Sequence, residues 1–338
     1  MTNSAHVFAS RTPLLAGLDR ELDTDTGPRH GVPDRIWNRA IGQPLREFLE
    51  RPGKEFRGEL SEIFFRLGGG SEPPPTNLPL IVEALHAGSL IIDDIEDESM
   101  ERRGRPALHR IHGVPLALNA GNWLYFWAYS LLDELSLSAE MRVVAERLTT
   151  RALLDCHYGQ ALDLSVRVSE LTQAEVPSVV RAATELKTGS LLGLAAGLGA
   201  LLGGATRDTV TSAIRFGREL GTGLQMLDDL SGVLVARRAH KGHEDLRLDR
   251  PSWPWAWLSA NLDGPAYERL RAEGAAVQAG AEPGPLLCEL QGLLGPFARR
   301  RVREHLELSL NRLAVALPPR TSLVALRREL ERLEKSYV

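Results

Sequence analysis

A chain of 338 residues is long enough for one large domain or two ordinary ones, and 43% hydrophobic with 25% charged residues is a globular composition. The net charge of −4 gives no general attraction for nucleic acid or an anionic membrane, so any anionic ligand must be held by local Lys and Arg or by bound metal. Two distant cysteines, Cys156 and Cys288, fit no metal spacing and indicate a reduced, cytoplasmic protein.

Residues 1–33 carry no apolar core between basic and small-residue flanks, which argues against a secretory signal, and they read as a disordered or loosely ordered segment. From residue 34 onward, apolar spacing predicts helices over 34–49, 54–67, 78–100, 114–135, 139–166, 173–202, 207–235, 299–316 and 322–335. Pro79, Pro115 and Pro177 fall near helix starts, where proline is tolerated, whereas Pro44 is expected to kink or split the first helix. The least charged stretch, 188–206, is about long enough to span a bilayer, but its repeated glycines favour a buried helix with close helical neighbours. Strand-like alternation is essentially missing, and the breaks at 51–53, 68–76 and 280–285 are too short for domain linkers. The reading is an all-α fold with one domain over 34–338.

Two acidic clusters stand out: Asp93-Asp94-Ile95-Glu96-Asp97 and Asp228-Asp229-Leu230-Ser231-Gly232. Each follows a largely apolar run, and burying an unpaired charge is costly, so the two together suggest a shared internal metal site. On a helix Asp93 and Asp97 share a face about 6 Å apart along the axis, with Asp94 roughly 100° around. Such oxygen donors suit Mg²⁺ together with a phosphate-bearing substrate. A solvated acidic face is the alternative for either cluster alone. Against it, Arg102-Arg103-Gly104-Arg105-Pro106 and His109 follow the first cluster at once, and guanidinium forks hold diphosphate oxygens well. Lys54 and Arg57 add two cations at a helix start, which also favours anions.

These segments resemble the trans-prenyl diphosphate synthases, most of all the eukaryotic-type geranylgeranyl diphosphate synthases. The run from Leu85 through Asp97 to Arg102-Arg103-Gly104 matches the family's first aspartate-rich motif. Pro52 to Arg57, Gly121 to Phe126, Gly159-Gln160-Ala161-Leu162-Asp163, Lys187-Thr188-Gly189 and Gln225 to Asp229 follow in the family's order. The resemblance implies a bundle of about ten or more helices around a deep central cavity. It implies Mg²⁺, three ions per site, held by Asp93, Asp94, Asp97, Asp228 and Asp229, with Asp93, Asp94, Asp97, Lys187 and Asp228 as the catalytic set. Arg102, Lys187, Thr188 and Gln225 are then expected on the allylic diphosphate, and Lys54, Arg57, His86 and Arg103 on isopentenyl diphosphate. Lys241 and Arg250 stand as further diphosphate contacts. A homodimer is implied, with no stable membrane insertion and no nucleic-acid partner. In this family the residues four and five before the first aspartate, here Ser89 and Gly88, belong to the floor of the product tunnel, and their small side chains predict a product longer than farnesyl diphosphate.

Without that context His86 reads as a core histidine, Lys187 as a solvated helix residue, and Trp123, Tyr125, Phe126, Trp127 and Tyr129 as core packing. Gly221 and Gly223 follow no strand, which argues against a dinucleotide loop, and Arg299 to Arg301 read as a solvated face. The chain also departs from the pattern. Gly232 stands where relatives carry a third Asp or an Asn. Lys241 lies four rather than five residues before Asp245, and Arg250 replaces a lysine. A diverged enzyme that prenylates an aromatic or indole acceptor, or cyclises its substrate, is therefore an alternative, as is a non-catalytic modulatory subunit.

Overall fold

Helices account for nearly all regular structure in the computed structural model, which describes residues 13–23, 30–53, 55–295, 297–318 and 321–337. Where the sequence reading has one domain from residue 34, contacts group the chain into two compact units, 1–59 with 75–138 and 60–74 with 139–338.

In the first unit the helices Asn77–Glu96 and Val114–Asp133 lie side by side, burying Ile81, Leu85, Ile91, Leu124 and Trp127. Over 34–49 the chain stays helical but widens into a π turn, Asn38–Gly42, just before Pro44. Pro44 has no N–H for the ladder, so this is the expected interruption. The loose N-terminal segment needs correction over residues 13–23. Pro13–Asp23 is a helix whose Leu15 and Leu18 are buried, and Asp19 accepts a 2.8 Å bond from Arg46 Nε. Leu14, Leu15 and Leu18 repeat at helical spacing, and that short apolar face finds a partner surface. Residues 1–12 and 24–29 lie outside the described part.

One pair of very short strands does occur. Glu101–Arg102 pairs antiparallel with Arg105–Pro106, joined by Arg103 and Gly104 at φ 55° and 74°. Two positive φ values in a two-residue connection match the twist of a hairpin, and Gly supplies one of them without steric cost.

In the second unit the apolar stretch becomes the almost wholly buried helix Ser190–Leu202, packed along Arg207–Leu234. Among the described residues no helix is long and apolar enough to cross a membrane. Ahead of it, Val176–Thr184 continues through a π turn, Glu185–Gly189. Four helices not anticipated from periodicity follow: Ala239–Arg247, Trp253–Asn261, Gly264–Gln278 and Gly284–Leu294. Ala239–Arg247 and Trp253–Asn261 are short, at 9 residues each, and Trp253, Trp255 and Trp257 are all buried, so Trp253–Asn261 shows no polar face to reveal its period.

The N-terminal helix is expected to contribute to stability. Leu18→Ala should cost about 2–5 kcal/mol in urea unfolding at unchanged m-value, as for a fully buried leucine. An unchanged midpoint would contradict the docking of this helix.

Candidate active site

In the first unit, Asn77–Glu96 carries His86, Gly88, Ser89, Asp93 and Asp94, and Asp97 caps its end. Asp97 N still bonds Asp93 O at 2.9 Å, so the one-turn spacing of these two aspartates is kept. Glu98 then takes φ 52°, while Ser99 N bonds Asp94 O and Glu98 N bonds Ile95 O. This is a Schellman ending built on a non-glycine residue. The carboxylates therefore sit at the negative end of a helix, where the backbone dipole disfavours them.

Compensation comes from Arg102. Its Nε donates to Asp94 Oδ1 at 2.8 Å, and its Nη2 reaches both Asp94 and Asp93 Oδ2, the latter at 3.5 Å. Asp94 is 1% exposed, and burial raises its pKa against the pull of Arg102. Its other oxygen, Oδ2, is buried without a hydrogen-bond partner. The hairpin sends its arginines to three places. Arg102 goes to the aspartates, Arg103 Nη1 to Arg51 O at 3.3 Å, and Arg105 to Glu47 at 2.8 Å.

Arg103 and His86 share a cavity of about 30 Å³ with Leu14, Arg51, Glu55 and Glu83, room for about one water molecule. Desolvation, then the charges of Arg57, Arg103 and Arg102, push His86 well below its ordinary 6.5, so the ring is neutral. His86 and Arg103 line this cavity and the charge of Arg57 acts on the His86 ring, while Lys54 lies outside the described residues. Arg51, Glu55 and Glu83 were not anticipated. Arg51 sat in a segment read only as a break, yet it is 1% exposed, donates to Arg102 O and Glu47 O, and lies over the Phe48 ring.

Gly88 requires a correction. A Cβ there would come within 2.8 Å of Gly121 O and 3.1 Å of the Tyr125 ring. The space a side chain would need is filled by the neighbouring helix, so Gly88 serves close helix packing rather than leaving room for product. Ser89 is half-buried, with its hydroxyl on His86 O. Of the first unit's aromatics Trp127 is buried, but Phe126 is 75% exposed and is no core residue.

In the second unit, Lys187 and Thr188 lie on the π turn, a distortion that recurs at functional sites. Lys187 Nζ pairs with Asp163 Oδ2 at 2.6 Å. A continuous polar chain follows. Thr188 Oγ1 donates to Gln225 Oε1 (3.1 Å), Gln225 Nε2 to Asp229 Oδ1 (2.7 Å), Trp253 N to Asp229 Oδ2 (3.0 Å), and Trp253 Nε1 to Thr184 Oγ1 (3.1 Å). Desolvation, then the charge of Asp245, pushes Asp229 up to about 7 against the Trp253 and Gln225 bonds. Asp228 is different: it is half-exposed and paired with Arg238 Nη2 at 2.6 Å and with Lys241. The displaced Lys241 therefore still reaches the motif. Asp245 and Arg250 belong to a second Schellman ending, Arg250 N bonding Asp245 O around Asp249 at φ 52°.

Gly232 does more than omit a ligand. A Cβ there would lie 3.1 Å from Gly242 N, and one on Gly242 would lie 2.4 Å from Gly232 O. Two helices meet here backbone to backbone.

Among the described residues no group of three or more His, Cys, Asp or Glu side chains is gathered as for a metal. The donor chemistry nevertheless fits Mg²⁺. Asp93 and Asp94 offer hard oxygens, one of them buried and unpartnered, with arginine now standing as counter-charge.

The fold is that of solved prenyl synthases. A geranylgeranyl pyrophosphate synthetase from Pyrococcus horikoshii superposes with a TM-score of 0.74 at 22% identity, covering 96% of this chain and 94% of that one. The heptaprenyl diphosphate synthase of Staphylococcus aureus gives 0.76 at 16% identity, covering 96% of each. In sequence, residues 38–271 match the polyprenyl synthetase family, and the chain belongs to that family. A geranylgeranyl pyrophosphate synthase of Penicillium canescens is 35% identical over 219 residues, 64% of this chain and 62% of the relative. One from Eremothecium gossypii is 36% identical over 135 residues, 38% of this chain. The chain spans 42% of that second relative and 62% of the first.

The depressed His86 has a signed consequence. The unfolded ring takes a proton near 6.5 and the folded ring does not, so stability is lost as pH falls from there toward the folded value. His86→Gln should flatten the fall in urea midpoint between about pH 7 and pH 5. Equal slopes in both proteins would place the proton elsewhere.

Proposed function

We propose that the protein is a Mg²⁺-dependent prenyltransferase that condenses isopentenyl diphosphate with an allylic diphosphate, giving geranylgeranyl diphosphate or a similar longer prenyl diphosphate. The observation that carries this reading is the buried Asp94 with Asp93, held by Arg102 at a helix end, in a chain of the polyprenyl synthetase family. By the family resemblance, Asp93, Asp94 and Asp97 of the first unit and Asp228 and Asp229 of the second would hold the metal, three ions in all. Bound there, Mg²⁺ supplies positive charge to the departing pyrophosphate.

The chain's own groups carry the rest. Arg102 can exchange a carboxylate for a diphosphate oxygen, since its planar fork accepts either. Lys187, Thr188 and Gln225 bind the same diphosphate, and Lys241 and Arg250 add positive charge. On the other substrate, Lys54, Arg57, His86 and Arg103 bind the isopentenyl diphosphate head. His86 acts as a neutral donor, so it adds a hydrogen bond without a further charge among arginines. As the C–O bond of the allylic substrate breaks, the isopentenyl double bond attacks the cation. A C–C bond forms, and the leaving pyrophosphate takes the proton. Water must be kept out, since it would quench the cation. Ser89 remains the tunnel-floor candidate, Gly88 being accounted for by packing.

Incubation with Mg²⁺, isopentenyl diphosphate and each allylic diphosphate, followed by chromatography, tests this. Longer diphosphates are expected, and Asp93→Ala should lower turnover by roughly a hundredfold or more. Asp93 is the better probe than buried Asp94, whose loss would strand Arg102 and cost stability. Products of only ten or fifteen carbons would overturn the chain-length assignment. Hydrocarbons or alcohols from the allylic substrate alone would make it a cyclase.

A homodimer is part of the same proposal. The helix Val114–Asp133 exposes Leu116, Leu118 and Phe126, and Ala139–Ser165 exposes Leu154 and Tyr158. On each unit taken by itself, several large apolar side chains along one helix are available for a partner surface. Phe126→Glu should shift sedimentation from dimer toward monomer while the circular dichroism spectrum stays helical.

A further inference from the structure

A cavity in the second unit is lined by none of the residues of the Asp228-Asp229 motif. It measures about 450 Å³ and opens between the helices Arg207–Leu234 and Ala298–Ala316. That size falls within the roughly 300–1,000 Å³ of small-molecule pockets. Its apolar wall is Phe216, Leu313, Val315 and Ala316. Phe216 is buried and fixed against the Phe64 ring at 5.7 Å, so this part of the wall is rigid. Val315, by contrast, is 88% exposed, an apolar surface that water covers poorly.

Beside that wall stand two arginines held by one glutamate. Arg215 Nε donates to Glu219 Oε1 at 3.1 Å, and Arg312 Nη1 donates to the same oxygen at 2.8 Å. Among the described residues each guanidinium makes this one ion pair, so each keeps further N–H donors for another anion. Two cations against one anion leave a net positive charge. Guanidinium forks bind phosphate oxygens in a bidentate manner.

We propose that this cavity is a second ligand site, taking the diphosphate head of a prenyl diphosphate on Arg215 and Arg312 and its apolar tail along Phe216, Leu313 and Val315. A cationic pair beside an apolar wall fits an amphiphile with an anionic head better than a nucleotide or a free phosphate. The site stands on its own geometry; the choice of a prenyl tail rests on the proposed prenyltransferase activity.

The test is calorimetric titration of the full chain with geranylgeranyl diphosphate in EDTA and saturating isopentenyl diphosphate, which together suppress metal-dependent binding and occupy the Arg57, His86 and Arg103 cluster. About one equivalent should bind to the wild type, and Asp93→Ala should leave this unchanged. The double variant Arg215→Ala/Arg312→Ala and, separately, Ala316→Trp should each weaken it by at least about tenfold. Both lie at exposed positions, and circular dichroism checks that they fold. Inorganic pyrophosphate and geranylgeraniol should each bind at least about tenfold more weakly than the complete amphiphile. Binding that survives both variants, or that disappears with Asp93→Ala, overturns the proposal. Pyrophosphate binding as tightly as the amphiphile would reduce it to an anion site without a tail. Failure of the condensation assay with this binding intact would instead count against the proposed activity.

Discussion

Carboxylates at the C-terminal end of a helix are unfavourable twice over when they are buried. The backbone dipole presents negative charge there, and desolvation raises the cost of ionisation. Asp94 meets both penalties at the end of Asn77–Glu96, and much of the first unit's local structure follows from answering them. Arg102 supplies the counter-charge. A two-stranded hairpin with left-handed backbone at Arg103 and Gly104 delivers it, and a Schellman ending at Glu98 turns the chain toward that hairpin. Asp228 meets the same need through Arg238 and Lys241.

The two halves of the second motif are physically unlike. Asp229 is buried and committed on both oxygens, to Gln225 and to the Trp253 backbone. It ties the Thr188 turn to the start of Trp253–Asn261, a structural duty that a ligand role must share. Asp228 is partly exposed and is held by two side-chain cations, Arg238 and Lys241, rather than by the backbone. The aromatic richness around Trp253 belongs to this arrangement, because the indole N–H closes the polar chain on Thr184.

Much of this was legible in the residues. Long amphipathic runs such as 114–135 and 207–235 announced themselves by period. The block from Asp93 to Gly104 declared its chemistry through residue types that are costly to keep together without a ligand. What stayed hidden was of three kinds. The 9-residue helices Ala239–Arg247 and Trp253–Asn261 offer too few turns for a period to show. The hairpin strands are two residues each, below any pattern length. Close backbone contacts leave no signature except a glycine, and Gly88 was credited to the tunnel when the Gly121 carbonyl claims its space. Arg51 escaped because a buried arginine is defined by its partners, Arg102 O and Glu47 O, which lie on other segments or an earlier turn.

The contact between Gly232 and Gly242 sets how closely two helices can approach. With a backbone carbonyl 2.4 Å from where a Cβ would stand on Gly242, position 242 has no room for a side chain, whereas a Cβ on Gly232 would lie 3.1 Å from Gly242 N and needs a smaller adjustment. Lys241 precedes Gly242 directly, so the backbone contact that these two glycines permit also sets the height at which Lys241 meets Asp228.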